Sequence, residues 1–335
     1  MLSYALPLAA TMVSWVSQVS PTSASLRGLS VVSPDVIWAS GSQGTWLLTA
    51  DSGKHWRTGT VPGAAELDFR DIEAWNANEA LLLSSGEGAH SRVYRTSDGG
   101  RHWGLLFTNP DPKGFFDAFA FWDRQHGVLL GDPVCGRFAI FTTADGGQSW
   151  QSQFTPPALP GEGAFAASGT CLTVKGSTEA WFGTGGGAKA RIFRSSDSGR
   201  TWSAVDTPLA AGTPSAGVFS VAFRDAKQGI AVGGDYTKPN DTAGTLAFTR
   251  DGGASWQSLA GPGLNGFRSA VAFALPPGGP GYWIAVGTNG SDVSHDSGRS
   301  WESVPVGGLN AVAIASNGSA WAVGAHGVIA KMPAR

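Results

Sequence analysis

An eight-residue pattern, Ser/Thr-x-Asp-x-Gly-x-x-Trp, occurs six times in this chain and constrains its fold more than any other feature. It reads TADSGKHW at 49–56, TSDGGRHW at 96–103, TADGGQSW at 143–150, SSDSGRTW at 195–202, TRDGGASW at 249–256 and SHDSGRSW at 294–301. The aspartates, Asp51, Asp98, Asp145, Asp197, Asp251 and Asp296, recur at intervals of 47, 47, 52, 54 and 45 residues. Self-similarity at such a period marks an array of supersecondary units that bury their apolar faces only against one another.

Each box is preceded by an apolar run that mostly ends in glycine: IWASG at 37–41, LLSSG at 82–86, VLLG at 128–131, AWFG at 180–183 and IAVG at both 230–233 and 284–287. A seventh copy, WAVG at 321–324, follows the last box. A further apolar run lies upstream of each, such as SVAFR at 220–224 and NAVAI at 310–314. No 12-residue window carries a helical apolar stripe free of glycine and proline, so each period reads as four short strands separated by turns. Four strands per repeat describe a propeller blade. The expected fold is therefore all-β, a single seven-bladed β-propeller over residues 14–335.

The seventh unit, 307–331, has only three strands of its own before the chain stops. The segment SWVSQVSP at 14–21 matches SWQSQFTP at 149–156, the strand that follows the third box. Trp15–Val19 is thus expected to complete the last blade and close the ring. Closure removes the open edges that a linear array would expose, and the chain is read as a monomer.

Composition agrees with a turn-rich all-β body. Glycine (48) and proline (19) make a fifth of the 335 residues, while 14 Trp and 17 Phe require a core. Net charge is −2 with dispersed Lys and Arg, which excludes a nucleic-acid footprint. The stretch Leu2–Val13 is uncharged and apolar, so residues 1–13 read as a leader remnant and the protein as exported, periplasmic in a bacterium. It is too short to span a bilayer. The two cysteines, Cys135 and Cys171, allow one bridge but no disulfide framework or zinc site. The six histidines show no ligand spacing, and no metal or cofactor is expected. GTGGGAKA at 183–190 lacks the lysine-plus-hydroxyl ending of a phosphate loop, and no helix follows it.

In each box the aspartate suits a turn whose backbone N–H groups it accepts from. The glycine suits positive φ, and the tryptophan suits packing between blades. All six aspartates therefore read as structural. Turns between third and fourth strands share one face of the disk. The second-to-third loops and the blade-to-blade connections share the other, where function is expected.

The boxes resemble the Asp-box, or BNR, repeats of sialidases and related propellers. The count of seven, the Val-Gly pair before the boxes and the length more closely resemble the Ycf48-like family of photosystem II stability and assembly factors, over roughly residues 14–332. That resemblance implies an exported scaffold that binds a protein or peptide client, which in the family can be a membrane protein, and not an enzyme. Photosynthetic members use an arginine-rich patch for their client; this sequence shows no dense arginine cluster.

The candidate binding face comprises Arg70, Asp71, Glu87, His90, Lys113, Asp117, Asp132, Arg137, Glu162, Lys189, Arg191, Asp235, Tyr236, Lys238, Arg268 and His326, with Glu66 and Asp68 beside them. The alternative is a glycoside hydrolase of sialidase type. It would need three convergent arginines on a carboxylate and a tyrosine nucleophile activated by a carboxylate. Arg70, Arg191, Arg268 and Tyr236 are the residues that could serve. A paired-carboxylate glycosidase would draw on Asp71, Asp117, Asp132 and Glu162.

Overall fold

The structure, a computed structural model, describes residues 14–259, 261 and 263–334; the leader expected at 1–13 lies outside them. Seven antiparallel sheets are arranged as a β-propeller. Within each blade the strands pair in chain order, so every blade is a meander, apart from the rim strand of blade 7. Blade 1 runs Leu26–Val31, Ile37–Gly41, Thr45–Thr49 and Arg57–Thr60 from channel to rim. The apolar runs noted above form the second strands, fully buried in blade 1 and blade 7 alike.

Blade 7 consists of Leu309–Ile314, Ala320–Gly324 and Ile329–Met332, completed by Val16–Ser17 at its rim. Val16 pairs with Lys331 and Ser17 with Ala330, and the Gln18 N–H donates to Ile329 O at 2.9 Å. The closing strand is thus shorter than Trp15–Val19. Trp15 instead turns toward blade 6, where its Nε1–H donates to Ser291 Oγ at 2.9 Å.

Blade 5 departs from the four-strand expectation. Among the described residues it has three strands, Ala216–Phe223, Gly229–Asp235 and Leu246–Thr249. Its fourth run is reduced to a bridge between Phe248 and Gln257.

The core lies between blades, one apolar layer per joint. Trp38 faces Phe69, Ile72 and Leu82 of blade 2, while its neighbours Ile37 and Ala39 face Trp321 and Val323 of blade 7. The period-two alternation of a strand delivers successive side chains to opposite joints. Hence both faces of the second strands are buried, in blade 1 and blade 7 at every position.

The boxes are third-to-fourth-strand turns. In the second of them, Thr96 Oγ1 donates to Asp98 Oδ1 at 3.0 Å and accepts from the Gly100 N–H at 3.0 Å. The same Oδ1 accepts from the His102 N–H at 3.0 Å, and Oδ2 lies 2.6 Å from His102 Nδ1. The bond from the N–H four residues on recurs in all the boxes, for Asp51, Asp145, Asp197, Asp251 and Asp296 at 2.9 Å. These bonds hold the carboxyls of Asp51, Asp98, Asp251 and Asp296 down near 2. Gly100 adopts φ +83° and lies under Trp46 of blade 1; a Cβ there would sit 2.6 Å from the ring. Trp103 packs on Trp38 and Trp46 with centroids 6.2 and 6.1 Å away. Both carboxylate oxygens of Asp98 are taken within the turn, and the tryptophan is taken by the blade joint.

Candidate functional site

The innermost strands carry a recurrent irregularity. A β-bulge interrupts their register between Leu26 and Gly28, Phe69 and Asp71, Phe116 and Ala118, Val218 and Ser220, and Leu309 and Ala311. The extra residues are Arg27, Arg70, Asp117, Phe219 and Asn310. Ser269 precedes the first paired residue of blade 6, Ala270. A bulge re-aims one side chain out of the strand's alternation. All six of these residues line one cavity of about 370 Å³ at the loop-face mouth of the channel. That size suits a small ligand or a side chain or two of a larger one. A groove of about 430 Å³ between blades 5 and 6 is larger, but Arg224, Arg250 and Arg299 there belong to the box face and to one joint only. Six blades converge on the channel mouth.

The long connection from blade 3 to blade 4 roofs this cavity. Ala166 O accepts from Arg70 Nη1 at 3.2 Å and Ala167 O from Arg27 Nη1 at 3.1 Å. Ser168 Oγ donates to Ser269 O at 3.1 Å. The segment therefore touches blades 1, 2 and 6 before it enters blade 4. Its root is a buried pair: Arg191 Nε donates to Glu162 Oε1 at 2.8 Å, Thr184 Oγ1 donates to the same oxygen at 2.6 Å, and the Leu159 N–H donates to Oε2 at 2.8 Å.

The cavity has two unlike walls. Blades 1 to 3 supply Arg27, Arg70, Asp117 and Asp132. Blades 5 and 6 and the roof supply Phe165, Phe219, Tyr236 and Phe267. Phe165 stacks on Phe219 at 3.9 Å, and Phe267 meets Phe219 edge-on at 4.7 Å. Tyr236 leans on the same ring at 6.1 Å and is 52% exposed. Asp235 positions it, accepting from the Thr237 N–H at 3.0 Å and from Thr237 Oγ1 at 2.7 Å in a local Asx turn.

Three carboxyls near the channel are pushed up. Burial drives Asp71 to about 7, although Oδ1 accepts from the Ile72 N–H at 2.8 Å and Oδ2 from the Phe119 N–H at 3.0 Å. Burial drives Asp132 to about 6, against one bond from the Ala164 N–H at 2.9 Å. Asp117 is raised well above the carboxylate range by burial first and then by Asp132, with Arg70 opposing.

Of the residues read from sequence, Arg70, Asp117, Asp132 and Tyr236 meet in this cavity. The rest do not. Asp71 is buried at the joint of blades 2 and 3. Arg268 is 1% exposed; its Nε donates to Asp292 Oδ2 at 2.7 Å and its Nη1 to Asn289 Oδ1 at 2.6 Å. Placing Arg268 on the binding face is corrected here: its charge is spent inside blade 6. Glu162 and Arg191 anchor the roof. Glu66, Glu87, His90, Lys113, Lys238 and His326 are exposed on loops. Lys189 pairs with Asp206 at the surface, and Arg137 lies over the Phe154 ring at 4.5 Å. Cys135 is exposed and Cys171 buried, and both are free. Arg27, Phe165, Phe219, Phe267, Ser269 and Asn310 were missed. The signal for Arg27, Phe219 and Asn310 was one residue breaking the alternation of an inner apolar run.

The sialidase constellation does not assemble. Arg70, Arg191 and Arg268 are committed to Asp68, Glu162 and Asp292 respectively. Among the described residues the Tyr236 hydroxyl bonds to no carboxylate. Among the described residues, too, no group of three His, Cys, Asp or Glu could hold a metal ion.

No protein-family model matches the chain, and a search of curated proteins finds no match. Solved structures do match. A structure of Ycf48 bound to a D1 peptide superposes with TM-score 0.66 at 17% identity, over 95% of this chain and 96% of that one. Ycf48 from Cyanidioschyzon merolae gives 0.65 at 17%, over 95% and 98%. A streptogramin B lyase gives 0.65 at 13%, over 96% and 97%. Identities this low speak for the fold alone, and the fold this chain shares with these proteins is the β-propeller.

Proposed function

We propose that the ring is a non-catalytic scaffold that receives a peptide segment of a client protein at the channel-mouth cavity. The carrying observation is the convergence of side chains from six blades on one cavity, with an aromatic wall and the half-exposed Tyr236 at its edge. Aromatic side chains of this kind supply contact area at little entropic cost and anchor interfaces. A similar ring, Ycf48, has been seen with a D1 peptide bound, which supports the same class of ligand here. The dispersal of Arg70, Arg191 and Arg268 supports a binder over a hydrolase.

The test is a random-peptide display selection on the intact protein. Selected peptides should bind at least tenfold more weakly to Tyr236→Ala, with its melting temperature unchanged. Peptides that bind Tyr236→Ala as well as the parent would overturn the site, and turnover of sialosides or other glycosides would overturn the non-catalytic reading.

A further inference from the structure

Asp117 is the anomaly of the channel mouth. It is 1% exposed and lines the cavity, yet neither carboxylate oxygen has a hydrogen-bond partner among the described residues. Buried carboxylates are ordinarily paired or fully hydrogen-bonded, because desolvation otherwise costs several kcal/mol. Asp132, on the adjacent strand, faces the same cavity with one oxygen engaged. The nearby arginines do not satisfy Asp117. Arg70 gives its Nε to Asp68 and its Nη1 to Ala166 O, and Arg27 gives its Nη1 to Ala167 O. Two guanidinium groups thus stand against three carboxyls, Asp68, Asp117 and Asp132. Opposite them lie the rings of Phe165, Phe219, Tyr236 and Phe267.

We infer that the Asp117–Asp132 wall receives the cationic side chain of an arginine or lysine in the client peptide, while the aromatic wall takes an adjacent apolar residue. A guanidinium donates through several N–H groups in one plane and stacks on aromatic faces, so both walls suit it. An entering cation also opposes, by its charge, the upward shift that burial gives the Asp117 carboxyl. An acidic or carboxyl-terminal ligand would instead face the carboxyls of Asp117 and Asp132 on this wall. This inference rests on the peptide-binding reading and narrows it to a ligand chemistry.

The probes are acetylated, amidated dipeptides on the full chain: Phe-Arg, Phe-Lys, Phe-citrulline and Phe-Glu, followed by calorimetry or ligand-observed NMR. Citrulline keeps the shape of arginine and removes the charge. Phe-Arg and Phe-Lys should bind at least tenfold more tightly than Phe-citrulline and Phe-Glu, the scale of one charge-assisted bond. Asp117→Asn should lower Phe-Arg affinity at least tenfold and leave Phe-citrulline unchanged. Should that variant not fold, Asp132→Asn and the arginine-to-citrulline comparison on the parent protein decide the matter.

Equal binding of Phe-citrulline or Phe-Glu, still weakened by Tyr236→Ala, overturns the cation assignment and leaves the peptide-binding reading standing. If arginine amide alone binds as well as Phe-Arg and ignores Tyr236→Ala, the cation site stands and the peptide reading falls. No measurable binding by any dipeptide overturns the cation site, and the display selection then decides the wider reading alone.

Discussion

Val16 pairs with Lys331 across the rim of blade 7, joining the two ends of the chain in one sheet. The pairing makes the last blade dependent on the first described residues. Deleting residues 1–20 removes the closing strand and the Trp15 contact to Ser291. It also exposes the Ile329–Met332 edge, an invitation to intermolecular pairing. The melting temperature should fall by roughly 5 °C or more, with association visible by light scattering. An unchanged melting curve would show that closure contributes nothing to stability.

Arg268 and Asp292 form an ion pair in which both side chains are at most 1% exposed. Removing one partner strands the other. Arg268→Ala should cost about 3–5 kcal/mol in urea unfolding. The double variant Arg268→Met/Asp292→Leu should recover much of it, because an apolar pair needs no solvent. If the double variant is as unstable as the single, the hydrogen bonds to Asn265 and Asn289 matter more than the pair.

The box turns should resist small changes for steric reasons. Gly100→Ala places a methyl 2.6 Å from the Trp46 ring at φ +83°. It should cost about 1–3 kcal/mol. Thr96→Val removes the hydroxyl that bonds both Asp98 and the Gly100 N–H. It should cost about 1–3 kcal/mol by leaving that buried donor unmet. Neither should alter peptide binding, since both sit on the opposite face. A selective loss of binding in either would place the site on the wrong side of the disk.

The channel carboxyls set the pH dependence. Asp132 at about 6 and Asp71 at about 7 stay protonated in the fold at pH values where the unfolded chain has released those protons. Their stabilising contribution is complete below about pH 4 and is lost as pH rises toward 8. For Asp71 a shift of about three units corresponds to on the order of 4 kcal/mol. The box aspartates act with the opposite sign: their contribution is present above about pH 4 and is lost as pH falls toward 2. Urea unfolding should therefore show greatest stability near pH 4–5, and Asp71→Asn should flatten the decline between pH 5 and 8. A parent protein equally stable at pH 5 and 8 would contradict this.

The blade count was legible because a propeller is built from local meanders. Each repeat carries its own turn chemistry, so Asp98, Gly100 and Trp103 announce a blade without reference to the rest of the chain. Ring closure was legible too, because Trp15–Val19 carries the pattern of a rim strand. Blade 5 departed from the expectation at its rim, where among the described residues the fourth run is only a bridge between Phe248 and Gln257, a change the spacing of the box does not reveal.

The site was legible only in part. Arg70, Asp117, Asp132 and Tyr236 stood out as polar or aromatic groups on loop-face segments. Arg268, Glu162 and Arg191 stood out equally, and their partners were invisible in one dimension. Phe219 and Asn310 looked like ordinary strand residues until a bulge turned them to the channel.

The sequence by itself determined the seven blades, the face on which the boxes lie and the order in which the ring closes. All of these follow from short-range turn geometry and the two-residue period of a strand. The tertiary structure alone decided which side chains share the channel mouth, because the bulges, the roof segment and the burial of Asp117 arise from contacts between blades far apart in the chain.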